Sequence, residues 1–325
     1  MADLRTSFAG LELKNPLIVS SSGLTNSAAK NKKWEEAGAA AVVLKSVFEE
    51  QILLHAGQME NYGQTEGDDY MVQYVRNHQL NETISLIRDT KEQCSIPVIA
   101  SINCHSDSEW GEYAALFEQA GADALEINIL SLRTARDYQA GSFQQMHVNV
   151  LKQVIKDIKI PVVVKLGSNL TAPVAMADRL SAHGAAGIVL FNRFYQPDID
   201  IEKLEYTSGN VFSSPADLYN GLRWTAILSS KLPNFPVALS GGVHDGDAMV
   251  KALLAGASAV QVCSAIYQQG PDVITKMLDR VAAWQESKGF ASLAAYRGRM
   301  NASAVGGEEL FERTQFMRYY SSKAE

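Results

Sequence analysis

Two stretches near the C-terminal end constrain this chain more than any other feature: Phe235-Pro-Val-Ala-Leu-Ser240-Gly241-Gly242 and Ala259-Val-Gln-Val-Cys263-Ser264. Each is an apolar run that stops at small residues. Each is followed by a segment with helical character, over 245–255 and 271–284. A strand that ends in Gly-Gly and opens a helix lets backbone N–H groups close around an anion, and the helix dipole adds to the attraction. Two such ends on adjacent strands form the phosphate site of a (β/α)8 barrel, built from the loops after strands seven and eight.

Counting backward gives six more apolar runs. The eight expected strands are 16–19, 41–45, 97–102, 124–128, 161–166, 187–191, 236–240 and 259–263. Several are near-continuous Val, Ile and Leu, as parallel strands buried on both faces require. Helical periodicity fills segments between them, for example 110–119 and 150–158. The expected fold is α/β, a (β/α)8 TIM barrel. A doubly wound sheet has the same count, but the paired small-residue ends favour the barrel. Two connections are long: 47–95 after strand two, where Gln64-Thr-Glu-Gly-Asp-Asp69 reads as a loop tip, and 192–215 after strand six. A C-terminal extension over 290–325 reads as a docked helix or an interface arm. No linker is visible, so 1–325 is expected to be one domain.

The apolar fraction, 46% of 325 residues, allows a large core. With 36 acidic and 29 basic residues and no basic stripe, nucleic acid is not an expected partner. The start, Met-Ala-Asp-Leu-Arg-Thr, lacks the apolar region of a signal peptide, and no apolar run reaches membrane-spanning length. Cys94, Cys104 and Cys263 are odd in number and unpaired in spacing, which fits reduced thiols in the cytoplasm and no zinc site. Six histidines show no metal spacing, so no metal is expected; His244-Asp245 reads as a helix start. Cys104, beside His105, reads as a small buried hydrophobe.

Polar residues end the strands where barrel chemistry sits: Lys45-Ser46, Asn103, Asn128, Lys165 and Asn192. A lysine closing the run Val162-Val-Val-Lys165 needs an anionic neighbour. A structural ion pair and a ligand site weigh evenly for one such lysine. Two lysines and three asparagines at one mouth favour an anionic ligand rich in hydrogen-bonding edges. Flavin mononucleotide (FMN) fits, with its phosphate at Gly241-Gly242 and Cys263-Ser264 and small residues Ser20-Ser21-Ser22-Gly23 nearby. Spacing alone does not separate FMN from a sugar phosphate.

The motifs Asn15-Pro16, Ser21-Ser-Gly23, Val43-Leu-Lys45-Ser46, Glu126-Ile-Asn128, Val164-Lys165-Leu, Phe191-Asn192, Leu239-Ser-Gly241-Gly242 and Val260-Gln-Val-Cys-Ser-Ala-Ile-Tyr-Gln-Gln-Gly-Pro271, in this order, resemble the dihydroorotate dehydrogenase family across nearly the whole barrel. The resemblance implies FMN and oxidation of a dihydropyrimidine, with a base taking the C5 proton and FMN the C6 hydride. It implies FMN contacts from Ser21, Ser22, Gly23, Lys45, Ser46, Asn128, Lys165, Asn192, Gly241, Gly242, Cys263 and Ser264. Ser213-Ser214 stands where the family more often has Gly-Gly, and is counted with them. Ser131 falls at the position of the catalytic base, with Lys45 beside the chemistry. Asn103, Asn128, Arg133, Asn192 and Arg193 are the expected substrate contacts.

The chain also departs from the family. Strand four reads Asn128-Ile-Leu-Ser131-Leu-Arg133 instead of Asn-x-Ser-Cys/Ser-Pro-Asn. The substrate loop Asn-Ser-Met-Gly-Leu-Pro-Asn after strand two is missing, and Gly57-Gln-Met-Glu-Asn-Tyr-Gly63 stands in its region. Arg193 and Tyr195 replace smaller residues. This pattern describes a divergent branch that keeps the flavin cradle and rebuilds the substrate side. The expected partners are an anionic small molecule, dihydroorotate among them, and a soluble electron acceptor, with a homodimer as an open assembly. A flavin-binding module without this catalysis, and a flavin-free barrel acting on a sugar phosphate, are the competing functions.

Overall fold

A computed structural model describes residues 2–48, 67–103 and 110–312, with no side-chain description over 67–77. The chain opens with an antiparallel hairpin, β1 (Thr6–Phe8) and β2 (Leu11–Leu13). There follow β3 (Leu17–Val19), α1 (Ala28–Glu36), β4 (Ala41–Val43), β5 (Val47–Phe48), α2 (Gly67–Gln93), β6 (Val98–Asn103) and α3 (Trp110–Gln119). The middle contains β7 (Ala124–Ile129), α4 (Ser142–Lys156), β8 (Val162–Gly167), α5 (Pro173–Ala182), β9 (Gly187–Asn192) and a second hairpin, β10 (Pro197–Asp200) with β11 (Glu205–Ser208). Then come α6 (Leu218–Lys231), β12 (Val237–Ser240), α7 (Gly246–Ala255), β13 (Ala259–Val262), α8 (Ser264–Gln269) and α9 (Asp272–Ser287).

Eight parallel strands close into a ring: β3, β4, β6, β7, β8, β9, β12 and β13, with β13 pairing back onto β3 through Val260↔Leu17 and Val262↔Val19. This is the (β/α)8 barrel. The expected strands match to within two residues at each end. The largest difference is strand two, which stops at Val43, so Lys45 lies beyond it and is exposed.

Side chains alternate in and out along each strand. On β8, Val162, Val164 and Leu166 face the surrounding helices, and Val163 and Lys165 face inward. The lower interior is apolar: Ile18, Val43, Ile99, Val163 and Val189 pack with alanines at 41, 124, 238 and 259. Phe8, Ala9 and Leu13 of the first hairpin join this layer and seal the barrel at its N-terminal end. Gly187 starts β9 there, and a Cβ on it would lie 3.3 Å from Phe8 Cε2. Local signals set the helices too. Asp245 caps α7 by accepting from Ala248 N–H at 2.8 Å, and Gly256 ends it at φ 114°.

The structure corrects the long loop after strand two. Most of 47–95 is α2, and Gly67, Asp68 and Asp69 of the expected loop tip form its first turn. Acidic residues suit a helix start, where the dipole is positive, so the polarity read as a loop belongs to a helix end. The long connection after strand six holds the β10–β11 hairpin. Cys104, His105, Gly57–Gly63 and Gln64–Glu66 lie outside the described residues.

Over 290–312, the described part of the C-terminal extension, the chain is docked by hydrogen bonds and short 3-10 turns; 313–325 lie outside the described residues. Leu293 N–H donates to Asp3 carbonyl oxygen, Gly298 and Met300 N–H donate to Leu253 and Leu254, and Ala302 N–H donates to Ala226. Tyr296 is fully buried, with ring centroids 5.1 Å from Trp284 and 5.3 Å from Phe290. Its hydroxyl has no hydrogen-bond partner among the described residues, and burial pushes the phenol up to about 12. An unpaired buried hydroxyl costs stability. Tyr296→Phe should therefore unfold in urea at the same midpoint as wild type or gain about 1 kcal/mol. A loss of that size would show that the hydroxyl is bonded.

Candidate active site

A cleft of about 750 Å³ opens at the C-terminal ends of the strands. The end next to β12 and β13 is largely backbone. Gly241 and Gly242 follow β12 with φ of 95° and 72°, a region open to glycine and strained for other residues. A Cβ on Gly242 would sit 2.1 Å from Leu218 N, so only glycine fits against the start of α6. A Cβ on Gly241 would meet nothing within 4 Å, which leaves its backbone open to a ligand. Ser213 N–H donates to Ser264 Oγ at 2.9 Å, and Ser213 Oγ lies 3.1 Å from His244 Nε2. Gly242 N–H reaches Ser213 Oγ at 3.4 Å. Cys263 also lines the cleft, and burial raises its thiol pKa against a lowering contact from Ser22. A neutral thiol beside open N–H groups suits an oxyanion better than a thiolate would.

The floor is polar. Lys165 Nζ donates to Gln261 Oε1 at 2.8 Å and to Ser20 Oγ at 3.0 Å, with Glu126 Oε1 at 3.6 Å. A second chain of hydroxyls, Ser21 to Ser46 at 3.0 Å and Ser46 to Ser101 at 2.7 Å, ties the loops after β3 and β4 to β6. On the opposite wall Asn192 Nδ2 donates to Asn128 Oδ1 at 2.8 Å. Asn192 Oδ1 accepts from Arg193 N–H at 2.9 Å, which fixes that amide's orientation. The Asn128 amino group remains as the free end of the pair among the described residues.

Most of the expected site residues meet here. Ser21, Ser22, Gly23, Lys45, Ser46, Asn103, Asn128, Lys165, Asn192, Arg193, Ser213, Gly241, Gly242, Cys263 and Ser264 all line the cleft. Ser214, Ser131 and Arg133 do not. Ser214 caps the short turn Pro215–Asp217 through Asp217 Oδ2. Leu130 takes the wall position next to Asn128, and Ser131 is buried behind it, its carbonyl accepting from Asn169 Nδ2 at 3.0 Å. Arg133 turns to α4: its guanidinium contacts Met146 Sδ at 2.7 Å and lies 5.0 Å from the Phe143 ring centroid. The Arg193 guanidinium is bound to the carbonyls of Asn210 and Val211.

Apart from Tyr195, the sequence did not point to the aromatic wall, Phe48, Phe191, Phe194, Tyr195, Phe212 and Tyr267, nor to a site role for the floor residue Gln261 and for Glu126 bonded beneath it. Tyr267 and Phe212 stack with centroids 5.3 Å apart. The polar break in Ala259-Val-Gln261-Val was the available signal for the floor. Among the described residues no cluster of His, Cys, Asp and Glu is placed to hold a metal, and no helix is long and apolar enough to cross a membrane.

Beside the cleft, Phe143 packs edge-on against His147 at 4.5 Å. His147 is fully buried; burial lowers it to about 4, aided by the nearby Arg133 charge and opposed by its bond to Phe143 carbonyl oxygen. The folded state thus binds this proton less tightly than the unfolded chain does. Stability is present above the unfolded pKa of about 6.5 and is lost as pH falls toward 4, by about 3 kcal/mol. Urea denaturation at about pH 7 and about pH 4.5 should show this loss in wild type and a smaller one in His147→Leu. Equal losses would assign the acid sensitivity to other groups.

The model of the family described as dihydroorotate dehydrogenase matches residues 3–284. A Methanocaldococcus jannaschii protein named dihydroorotate dehydrogenase B (NAD(+)), catalytic subunit, is 28% identical over 86% of this chain and 93% of its own length. A Methanosarcina acetivorans protein of the same name is 29% identical over 87% and 92%. The Escherichia coli K12 NAD-dependent dihydropyrimidine dehydrogenase subunit PreA is 26% identical over 95% of this chain and 79% of its own length. With its barrel, its glycine cradle and a match covering most of its length, this chain belongs to the dihydroorotate dehydrogenase family.

Proposed function

We propose that this protein is an FMN-dependent oxidoreductase acting on the CH–CH bond of a cyclic amide of the dihydropyrimidine type, with dihydroorotate to orotate as the family's reaction. The observation that carries it is the cradle at Gly241, Gly242, Cys263 and Ser264, set above a floor lysine and beside an asparagine pair. Bound FMN supplies the hydride acceptor. Gly241-Gly242 and Cys263-Ser264 would hold its phosphate. Lys165 would supply positive charge from the cleft floor, and Lys45, exposed at the rim, would add a cation with no partner among the described residues. Asn128, Asn192 and Asn103 meet the donor and acceptor edges of a ring amide. The aromatic wall excludes water from the reacting faces.

A specific observation favours a substrate other than dihydroorotate. Leu130 takes the wall beside Asn128, Ser131 at the family's base position is buried behind it, and Arg133, which departs from the family pattern, turns to Met146 outside the cleft. A serine hydroxyl needs an acceptor to work as a base and must reach the substrate, and Ser131 is buried and does not line the cleft.

The test is anaerobic. Protein saturated with FMN should be yellow and should bleach with at least one dihydropyrimidine, dihydroorotate or a neutral analogue. Bleaching by dihydroorotate that is slowed in Ser131→Ala restores Ser131 as the base. Bleaching by neutral analogues alone selects the altered substrate. A yellow protein that none of them bleaches is a binding module. Protein that stays colourless after incubation with FMN rejects the flavin reading and returns the sugar-phosphate barrel.

A further inference from the structure

Glu126 is a carboxylate with no part in the function just described. It lies on β7, 1% exposed, beneath a cleft that it does not line. Its Oε2 accepts from Gln261 Nε2, and its Oε1 has no hydrogen-bond partner among the described residues but faces Lys165 Nζ at 3.6 Å. Gln261 passes the contact on, since its Oε1 accepts from Lys165 Nζ at 2.8 Å. The chemistry fixes this amide. An ammonium only donates and a carboxylate only accepts, so Gln261 turns oxygen to the lysine and nitrogen to the glutamate. The three side chains come from β7, β8 and β13 and span the barrel interior below the cleft.

Stability does not explain the arrangement. A buried ion pair is often no better than apolar residues of equal volume, and a carboxylate oxygen without a donor is a cost. The apolar layer just below shows that this barrel fills its interior without charge elsewhere. What the pair does change is the charge at the cleft floor. Lys165 reaches the ligand space, and the carboxylate that offsets it does not.

We propose that Glu126 is a positioning residue for Lys165: it holds the ammonium, sets the positive charge the floor presents, and so sets the reduction potential of the bound cofactor. The proposal rests on the reading that the cleft binds FMN. Reduction adds negative charge to the bound cofactor, and an offset lysine stabilises that charge less than a bare one. Glu126 therefore keeps the potential low, and Lys165 pulls it up.

The experiment compares FMN-loaded wild type, Glu126→Gln, Glu126→Asp, Lys165→Met and the double variant Glu126→Gln/Lys165→Met, by redox titration and by affinity for oxidised and reduced FMN. Glu126→Gln should raise the potential and increase the preference for reduced over oxidised FMN about tenfold, the scale of one partly screened charge. Lys165→Met should lower it, and the double variant should return close to wild type. Glu126→Asp, which keeps the charge, should lie nearer wild type than Glu126→Gln. If Glu126→Gln does not fold, the double variant, which buries no charge at these two sites, must still lie above Lys165→Met. An unmoved or lowered potential in Glu126→Gln, or a double variant no higher than Lys165→Met, overturns the proposal while FMN binding stands. Wild type that takes up no FMN overturns the cofactor reading, and this proposal with it.

Discussion

Gly242→Ala should lose FMN affinity by about 100-fold or more and lower the melting temperature at the same time. The new Cβ would lie 2.1 Å from Leu218 N and 2.6 Å from its Cα. Those are backbone atoms at the first residue of α6, and they cannot rotate aside as the end of a side chain can. Either the cradle loop or the helix start must move, and both border the proposed phosphate site. The positive φ adds about 1 kcal/mol of strain on top. Gly241→Ala is the internal control. Its Cβ meets nothing within 4 Å, so it carries the φ strain alone and should cost about tenfold or less in affinity. Titration of flavin fluorescence with each variant, with thermal unfolding alongside, decides the order. A Gly241→Ala more damaging than Gly242→Ala would mean that close approach at Gly241, and not packing on α6, dictates the glycine pair.

Phe8→Ala should cost about 4 kcal/mol of folding stability, the upper part of the range for an aromatic side chain removed from a core. Phe8 is 1% exposed and sits with Ala9 and Leu13 across the N-terminal end of the barrel, against a layer rich in alanine. Small residues at 41, 124, 238 and 259 leave room for that ring. The cleft lies at the other end, so the affinity of the remaining folded protein for FMN should change by less than about threefold. Urea denaturation with and without FMN separates the two effects. A loss below about 1 kcal/mol would show that the hairpin covers the barrel without sealing it.

The barrel was legible because its strands are short, apolar and alternate with helices, and because a glycine pair marks backbone that must turn at positive φ. Gly241-Gly242 and Lys165 could be placed for that reason. Helix α2 was not, since its 27 residues begin with Gly-Asp-Asp and carry no clear apolar stripe. Ser131 and Arg133 followed family position, and position fixes where the backbone runs and not where a side chain turns. Leu130 occupies the wall, and Phe143 with Met146 offers Arg133 a better seat than the open cleft. Glu126 was overlooked because a charged residue inside an apolar run shows its partner only when strands from opposite sides of the ring are brought together.

The bond between β3 and β13 joins residues 17–19 to 260–262. A ribosome releases the first of these strands long before the last exists, so the nascent chain carries an open, curved sheet with two bare edges for most of its synthesis. The glycine cradle and the loop after β13 belong to the same late segment. Ring closure and the proposed nucleotide site therefore arrive together, and a chain halted before residue 262 should have neither. Yellow colour in a growing or truncated chain would act as a clock for the moment the ring shuts.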